Sequence, residues 1–105
     1  MEGLWLASPA NSATITVNAP DAYGRTFVDL VGEIAANDDA AFEKKLAVLH
    51  AQADKVIVTL SGPGGVALTA MKIGELIHKN GWATYVPSGT LCTSSCSIIW
   101  LAGMP

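Results

Sequence analysis

Lys55-Val56-Ile57-Val58-Thr59-Leu60 runs straight into Ser61-Gly62-Pro63-Gly64-Gly65, and a helical pattern follows at once. The first six residues are β-branched and mostly apolar, as in a buried strand of a parallel sheet. Beyond the glycines, Val66, Ala70, Ile73 and Ile77 recur at helical spacing and share one face, while Lys72, Glu75 and Lys79 point elsewhere. Asn80-Gly81 ends this helix, with Gly81 suited to the left-handed position just past its C-terminus. The stretch therefore reads as strand, glycine turn, helix.

Working outward, Trp82-Ala83-Thr84-Tyr85-Val86-Pro87 reads as a second strand and Ser88-Gly89-Thr90 as a turn. Cys92-Thr93-Ser94-Ser95-Cys96 then opens an apolar helix over Ser97–Ala102. Strand and helix alternating through short connections predict an α/β fold with right-handed βαβ units in a parallel sheet. Upstream, Ala13–Val17 and Arg25–Val31, broken by Asn18–Gly24, predict an early β-hairpin. Asp38 or Asp39 can cap the next helix, whose Phe42, Leu46 and Leu49 make one apolar stripe. No internal repeat, low-complexity run or linker interrupts the chain, and Met1–Ser12 is expected to fray.

The chemistry is concentrated in the two turns. Adjacent glycines leave amide N–H groups uncovered by any Cβ, so a ligand oxygen can approach the main chain closely. A helix start adds unpaired N–H groups and the positive end of the dipole, both of which favour an anionic oxygen. Ser94 sits at such a start, where the N–H of Ser95 can join one from Gly64 or Gly65. Plainer readings exist for each part alone: a tight strand-to-helix connection for the glycines, and helix capping for Ser94.

Taken together, these residues resemble the crotonase-like superfamily, in its serine-peptidase branch typified by the caseinolytic protease proteolytic subunit and signal peptide peptidase A. In that branch a Ser-Pro-Gly-Gly turn supplies one oxyanion donor, and a serine at a later helix start supplies the nucleophile and, through the next residue, the second donor. Here Ser61-Gly62-Pro63-Gly64-Gly65 carries one extra glycine before the proline. Twenty-nine residues separate Gly65 from Ser94, similar to the family spacing, and Ala102-Gly103 resembles the close of the family's nucleophile helix. The cysteine-flanked serines look most like uncharacterised exported bacterial relatives. Phe27–Ile34 is similar to the family's early strand and Gly-x-Ile turn, and Asp39–Gln52 to its first helix.

The resemblance implies a crotonase-like strand-strand-helix spiral, incomplete at this length, as a single truncated domain over residues 1–105. It implies Ser94 as nucleophile, the N–H groups of Gly65 and Ser95 as oxyanion donors, and Gly64, Gly65 and Val66 as the lining for an extended peptide or protein substrate. It also implies a homo-oligomer. The family's histidine or lysine base follows the serine at a greater distance than the eleven residues remaining after Ser94. The base is thus expected beyond Pro105, and the fragment is expected to be inactive even if its parent is an enzyme. Without that base a serine hydroxyl is a poor nucleophile.

Resident groups are poor substitutes. His78 lies about 20 Å along its helix from Gly65, Lys72 about 10 Å and on the polar face, and His50 belongs to the earlier helix. A chain of 105 residues, half of them hydrophobic, buries one modest core. Apolar surface is expected to remain exposed around Ser97–Ala102.

Other classes are weakly supported. A net charge of −3 with dispersed signs gives no basic stripe for nucleic acid or anionic lipid. Met1–Leu6 lacks the charged start and apolar stretch of a signal peptide, and no run is long enough to span a membrane. The compartment stays open, a periplasmic or membrane-associated parent included. Cys92 and Cys96 admit a disulfide that would clamp the serine turn, buried free thiols, or metal ligation, the last weak without a nearby third ligand. Gly62-Pro63-Gly64-Gly65-Val66-Ala67 also fits a dinucleotide-binding fingerprint, but it contains a proline and no carboxylate follows the next strand. Neither a cofactor nor a metal is called for. The rivals to a peptidase are a non-catalytic assembly or binding module of the same fold and an acyl-CoA enzyme of crotonase type. The latter also needs two backbone donors but no serine at position 94.

Overall fold

The computed structural model describes residues 12–49 and 55–103. Strands β1 (Thr14–Val17), β2 (Arg25–Val31), β3 (Lys55–Ser61) and β4 (Ala83–Tyr85) form a single sheet in the order β1-β2-β3-β4. Helix α1 (Asp38–Leu46) joins β2 to β3, α2 (Ala67–Asn80) joins β3 to β4, and α3 (Ser95–Ala102) follows β4. β2, β3 and β4 are parallel, while β1 pairs antiparallel with β2 as the expected hairpin. The fold class is therefore α/β, with a mixed rather than purely parallel sheet.

Alternation along the strands decides which side chains meet the helices. Val28 and Leu30 lie opposite Val58 and Leu60, and Ile15 opposite Leu30, so one face of the sheet is continuously apolar. That face joins Phe42, Leu46, Leu49, Ala70, Ile73, Ile77, Cys96 and Ile99 in one core. Each large side chain buried there contributes about 1.5–3 kcal/mol relative to exposure. The opposite face carries the row Thr16, Asp29, Thr59, Tyr85. Asp29 accepts the Thr59 hydroxyl at 2.5 Å and the Asn18 amide at 3.1 Å. The strand read as buried is thus buried fully on one face and partly on the other.

The hairpin turn is organised by Asp21, which accepts the backbone N–H of Tyr23 and Arg25 and the Arg25 guanidinium. The Arg25 backbone N–H, more than any other group, holds the Asp21 carboxyl below its ordinary value.

Helix α1 closes at Leu46, with Leu49 in a turn beyond it, rather than running on toward Gln52, and three further element boundaries differ from the sequence expectation. Val66 precedes α2 in extended conformation and is 43% exposed, so only Ala70, Ile73 and Ile77 of its expected stripe are buried. β4 covers three residues rather than six: Trp82 N–H is taken by the Ile77 carbonyl closing α2, and the Pro87 carbonyl turns back to Thr90. Gly81 does take the left-handed position, at φ 70°.

The third difference is at α1, which is capped by Asn37 at φ 74° rather than by an aspartate side chain. Asp38 is its first residue, and the buried carboxylate turns back to accept Ser12 Oγ at 2.8 Å, Ala13 N at 3.0 Å and Ala35 N at 2.7 Å. Ser12 is thereby tied down; the rest of the stretch expected to fray lies outside the described residues. This single carboxylate fastens the start of β1 to the loop that leads from β2 toward the glycine turn. Asp38→Ala orphans three donors and is expected to lower the unfolding free energy by about 2–3 kcal/mol. Urea denaturation measures this, and an unchanged midpoint would contradict it.

Candidate active site

The C-terminal ends of β2 and β3 run on into loops that continue their pairing. Gly32 N–H donates to Ser61 O at 2.8 Å, Ile34 N–H to Gly64 O at 2.7 Å, and Val66 N–H to Ile34 O at 2.9 Å. On the other side Gly62 N–H donates to Leu91 O at 2.7 Å and Thr93 N–H to Gly62 O at 3.1 Å. The glycine turn is held between the Gly32–Ile34 loop and the Leu91–Ser95 loop. In open α/β sheets this end, beyond the carboxyl ends of parallel strands, is where ligands bind.

That pairing fixes the direction of one amide. Ile34 bonds to the residues on either side of Gly65, so the N–H and C=O of Gly65 itself face away from Ile34. The buried Ser95 hydroxyl donates to that outward carbonyl at 3.0 Å, which locates Ser95 on the side toward which Gly65 N–H points. Neither Gly65 N–H nor Ser95 N–H donates to a group among the described residues. Gly64 abuts the same turn: a Cβ built on it would lie 2.9 Å from Ser94 Cβ and 2.8 Å from Ser95 N.

Ser94 has φ 54° and ψ −127°, a conformation that L-residues with a side chain rarely adopt. Such a conformation costs about 1–3 kcal/mol and persists only where the surroundings over-determine it. Here Ser94 O accepts both Ser97 N–H at 2.9 Å and Ser97 Oγ at 2.5 Å, and Thr93 O accepts Cys96 N–H at 3.0 Å. Although Ser94 occupies the cap position of α3, its hydroxyl caps nothing. Ser94 is exposed, beside two amides that have no acceptor among the described residues.

The structure brings Gly64, Gly65, Ser94 and Ser95 together. It sets Val66 next to them, exposed and tied to Ile34 through its N–H. Cys92 and Cys96 are joined as a disulfide with Cα atoms 5.1 Å apart. The link forms because Cys92 precedes α3, on a bridge to Gly62, while Cys96 lies within the helix. By the loop-entropy relation, closing so short a loop stabilises the fold by only about 2 kcal/mol.

No described side chain hydrogen-bonds to Ser94 Oγ. His78 lines an apolar groove of about 420 Å³ with Met71, Ile98, Leu101 and Ala102, along the flanks of α2 and α3. Lys72 borders a separate cleft with Asp39, Glu43 and Glu75. His50 lies outside the described residues. Ile98, Trp100 and Leu101 of α3 are exposed, as expected of its apolar composition. No described helix is long and apolar enough to cross a membrane.

Sequence reasoning missed two contributors. Ile34 aims the glycine peptides through its backbone, and its Gly-x-Ile turn was the only signal for it. The Ser95 side chain latches the two loops together, for which the sequence holds no signal because the partner is a carbonyl thirty residues away. Comparison with protein-family models, curated proteins and solved structures finds no match to this chain.

Proposed function

We propose that this chain carries the nucleophile and oxyanion hole of a serine peptidase of crotonase-like fold. Ser94 Oγ attacks a peptide carbonyl, forming a tetrahedral intermediate that collapses to an acyl-enzyme as the amine leaves. Gly65 N–H and Ser95 N–H receive the developing oxyanion, each donor worth about 3 kcal/mol of transition-state stabilisation by comparison with characterised hydrolases. A general base outside the described residues takes the Ser94 proton.

The observation that carries this reading is the positive φ of a serine that caps nothing. An ordinary helix start leaves its cap residue in extended conformation with its hydroxyl on a backbone amide. A strained serine immediately before a helix, its hydroxyl not spent on capping, is a feature shared with a nucleophile elbow. An acyl-CoA enzyme would use the same two amides but gives no reason for the strain at Ser94. The unpartnered Ser94 hydroxyl favours a second reading, a binding module that keeps the hole without the chemistry.

A fluorophosphonate probe separates the readings. The protein, in the longest form its gene encodes, is treated with the probe and the adduct is located by mass spectrometry. Modification of Ser94 is the expected result. An unmodified protein, or an adduct on another residue, overturns the peptidase reading.

A further inference from the structure

We propose that the Cys92–Cys96 disulfide is a redox-controlled clamp on the Ser94 turn, active-site geometry being kept while it is oxidised and lost when a dithiol reduces it. The regulatory consequence rests on the reading of Ser94 as nucleophile. The clamp itself rests on where the link lies.

The disulfide encloses only Thr93, Ser94 and Ser95, so its loop contains the strained residue and the residue bearing the free amide. Every other restraint on the turn among the described residues is a hydrogen bond or a packing contact: Thr93 N–H to Gly62 O upstream, Ser95 Oγ to Gly65 O across the two loops, and Cys96 N–H to Thr93 O with Ser97 N–H and Oγ to Ser94 O downstream. A strained conformation held by several weak restraints and one covalent one is sensitive to loss of the covalent one. The global fold is not. Cys96 is 4% exposed within the core and packs equally as a thiol, and Ile99 anchors α3 one turn further on.

The link is also open to exchange. Cys92 is the more exposed of the two, partly buried against the core whereas Cys96 is enclosed, so the proposed attack of an incoming thiolate falls on the Cys92 sulfur. It forms a mixed disulfide there, and the Cys96 sulfur leaves with the bonding electron pair and takes up a proton released by the reductant, becoming a thiol in the core. The second thiol of the reductant then displaces Cys92. In sum, the dithiol gives up two electrons and two protons and becomes a disulfide, and the chain gains two thiols. Ser94 is then free to leave positive φ, which turns Ser95 N–H away from the side that Gly65 faces.

The test compares the full chain with and without a dithiol. The one-bond Cα–Hα coupling of Ser94, which separates positive from negative φ, is read by NMR. Fluorophosphonate labelling of Ser94 is followed in parallel on the longest encoded form. Reduction is expected to move the coupling to its negative-φ range and to slow labelling at least tenfold, with both restored on reoxidation. The Cys92→Ala/Cys96→Ala variant is expected to match the reduced state and to ignore the dithiol. An unchanged Ser94 coupling in the reduced wild-type chain overturns the clamp, whatever the variant does. Equal labelling in both redox states overturns the regulation and leaves Ser94 as nucleophile. Absence of labelling even when oxidised sinks the nucleophile and the regulation together, while the coupling still decides the clamp.

Discussion

Gly65→Ala is expected to lower the unfolding free energy by about 4 kcal/mol, a sum of overpacking and backbone strain. The added Cβ would lie 2.1 Å from Ile34 O and 2.7 Å from Ile34 N. Both are backbone atoms engaged in the bridge that flanks Gly65, so neither can rotate aside as a side chain would. The residue also sits at φ 143°, where an L side chain is strained whatever space it is given. A domain of this size has a total stability of about 5–15 kcal/mol, so the loss is a large share of it. Urea denaturation gives the value. Gly89→Ala is the control: its φ is 85° but nothing lies within 4 Å, so only about 1 kcal/mol is expected. Equal losses at the two positions would show that the clash with Ile34 relaxes freely.

Gly64→Ala should act on the site more than on the fold. Its Cβ would lie 2.8 Å from Ser95 N, 2.9 Å from Ser94 Cβ and 3.0 Å from Thr93 O, all within the serine turn. The clash is milder than at Gly65, the nearest atoms lying at 2.8–3.0 Å rather than 2.1 Å, so a smaller displacement of the turn relieves it. Gly64 also sits at φ 104°, so overpacking and backbone strain together are expected to cost about 3 kcal/mol, still less than at Gly65. On the proposed reading the displaced Ser95 N–H no longer serves as the second oxyanion donor, and loss of one such donor costs about 100-fold or more in rate. Fluorophosphonate labelling of Ser94 and urea unfolding, measured on the same preparation, read the two effects apart. Wild-type labelling in this variant would mean that the Ser95 amide plays no part.

Much of the architecture is legible from local pattern. Phe42, Leu46, Ala70, Ile73 and Ile77 announce their burial by spacing alone, because a helix offers one face to a core and the rest to water. Gly81 announces its left-handed turn because few other residues take it without cost. The expectations that failed are boundaries: Val66 outside its helix, β4 shortened, and Asp38 serving two distant donors and one from the preceding loop instead of its own helix. At Val66 and Asp38 a tertiary hydrogen bond outcompeted the local preference, while β4 was trimmed by the closing bond of α2 on one side and a tight turn on the other.

The same division runs through the candidate site. By itself the sequence determined an α/β chain with a Pro-Gly-Gly turn closing one strand and a cysteine-flanked serine opening a later helix, because these depend on residue type and spacing. Only the tertiary structure decided that Ser94 is strained rather than capping, that Ser95 latches onto Gly65, and that Ile34 turns the Gly65 amide outward. Those facts belong to pairs of residues some thirty positions apart. Their geometry is set when the sheet brings two loops together, and no local periodicity records it.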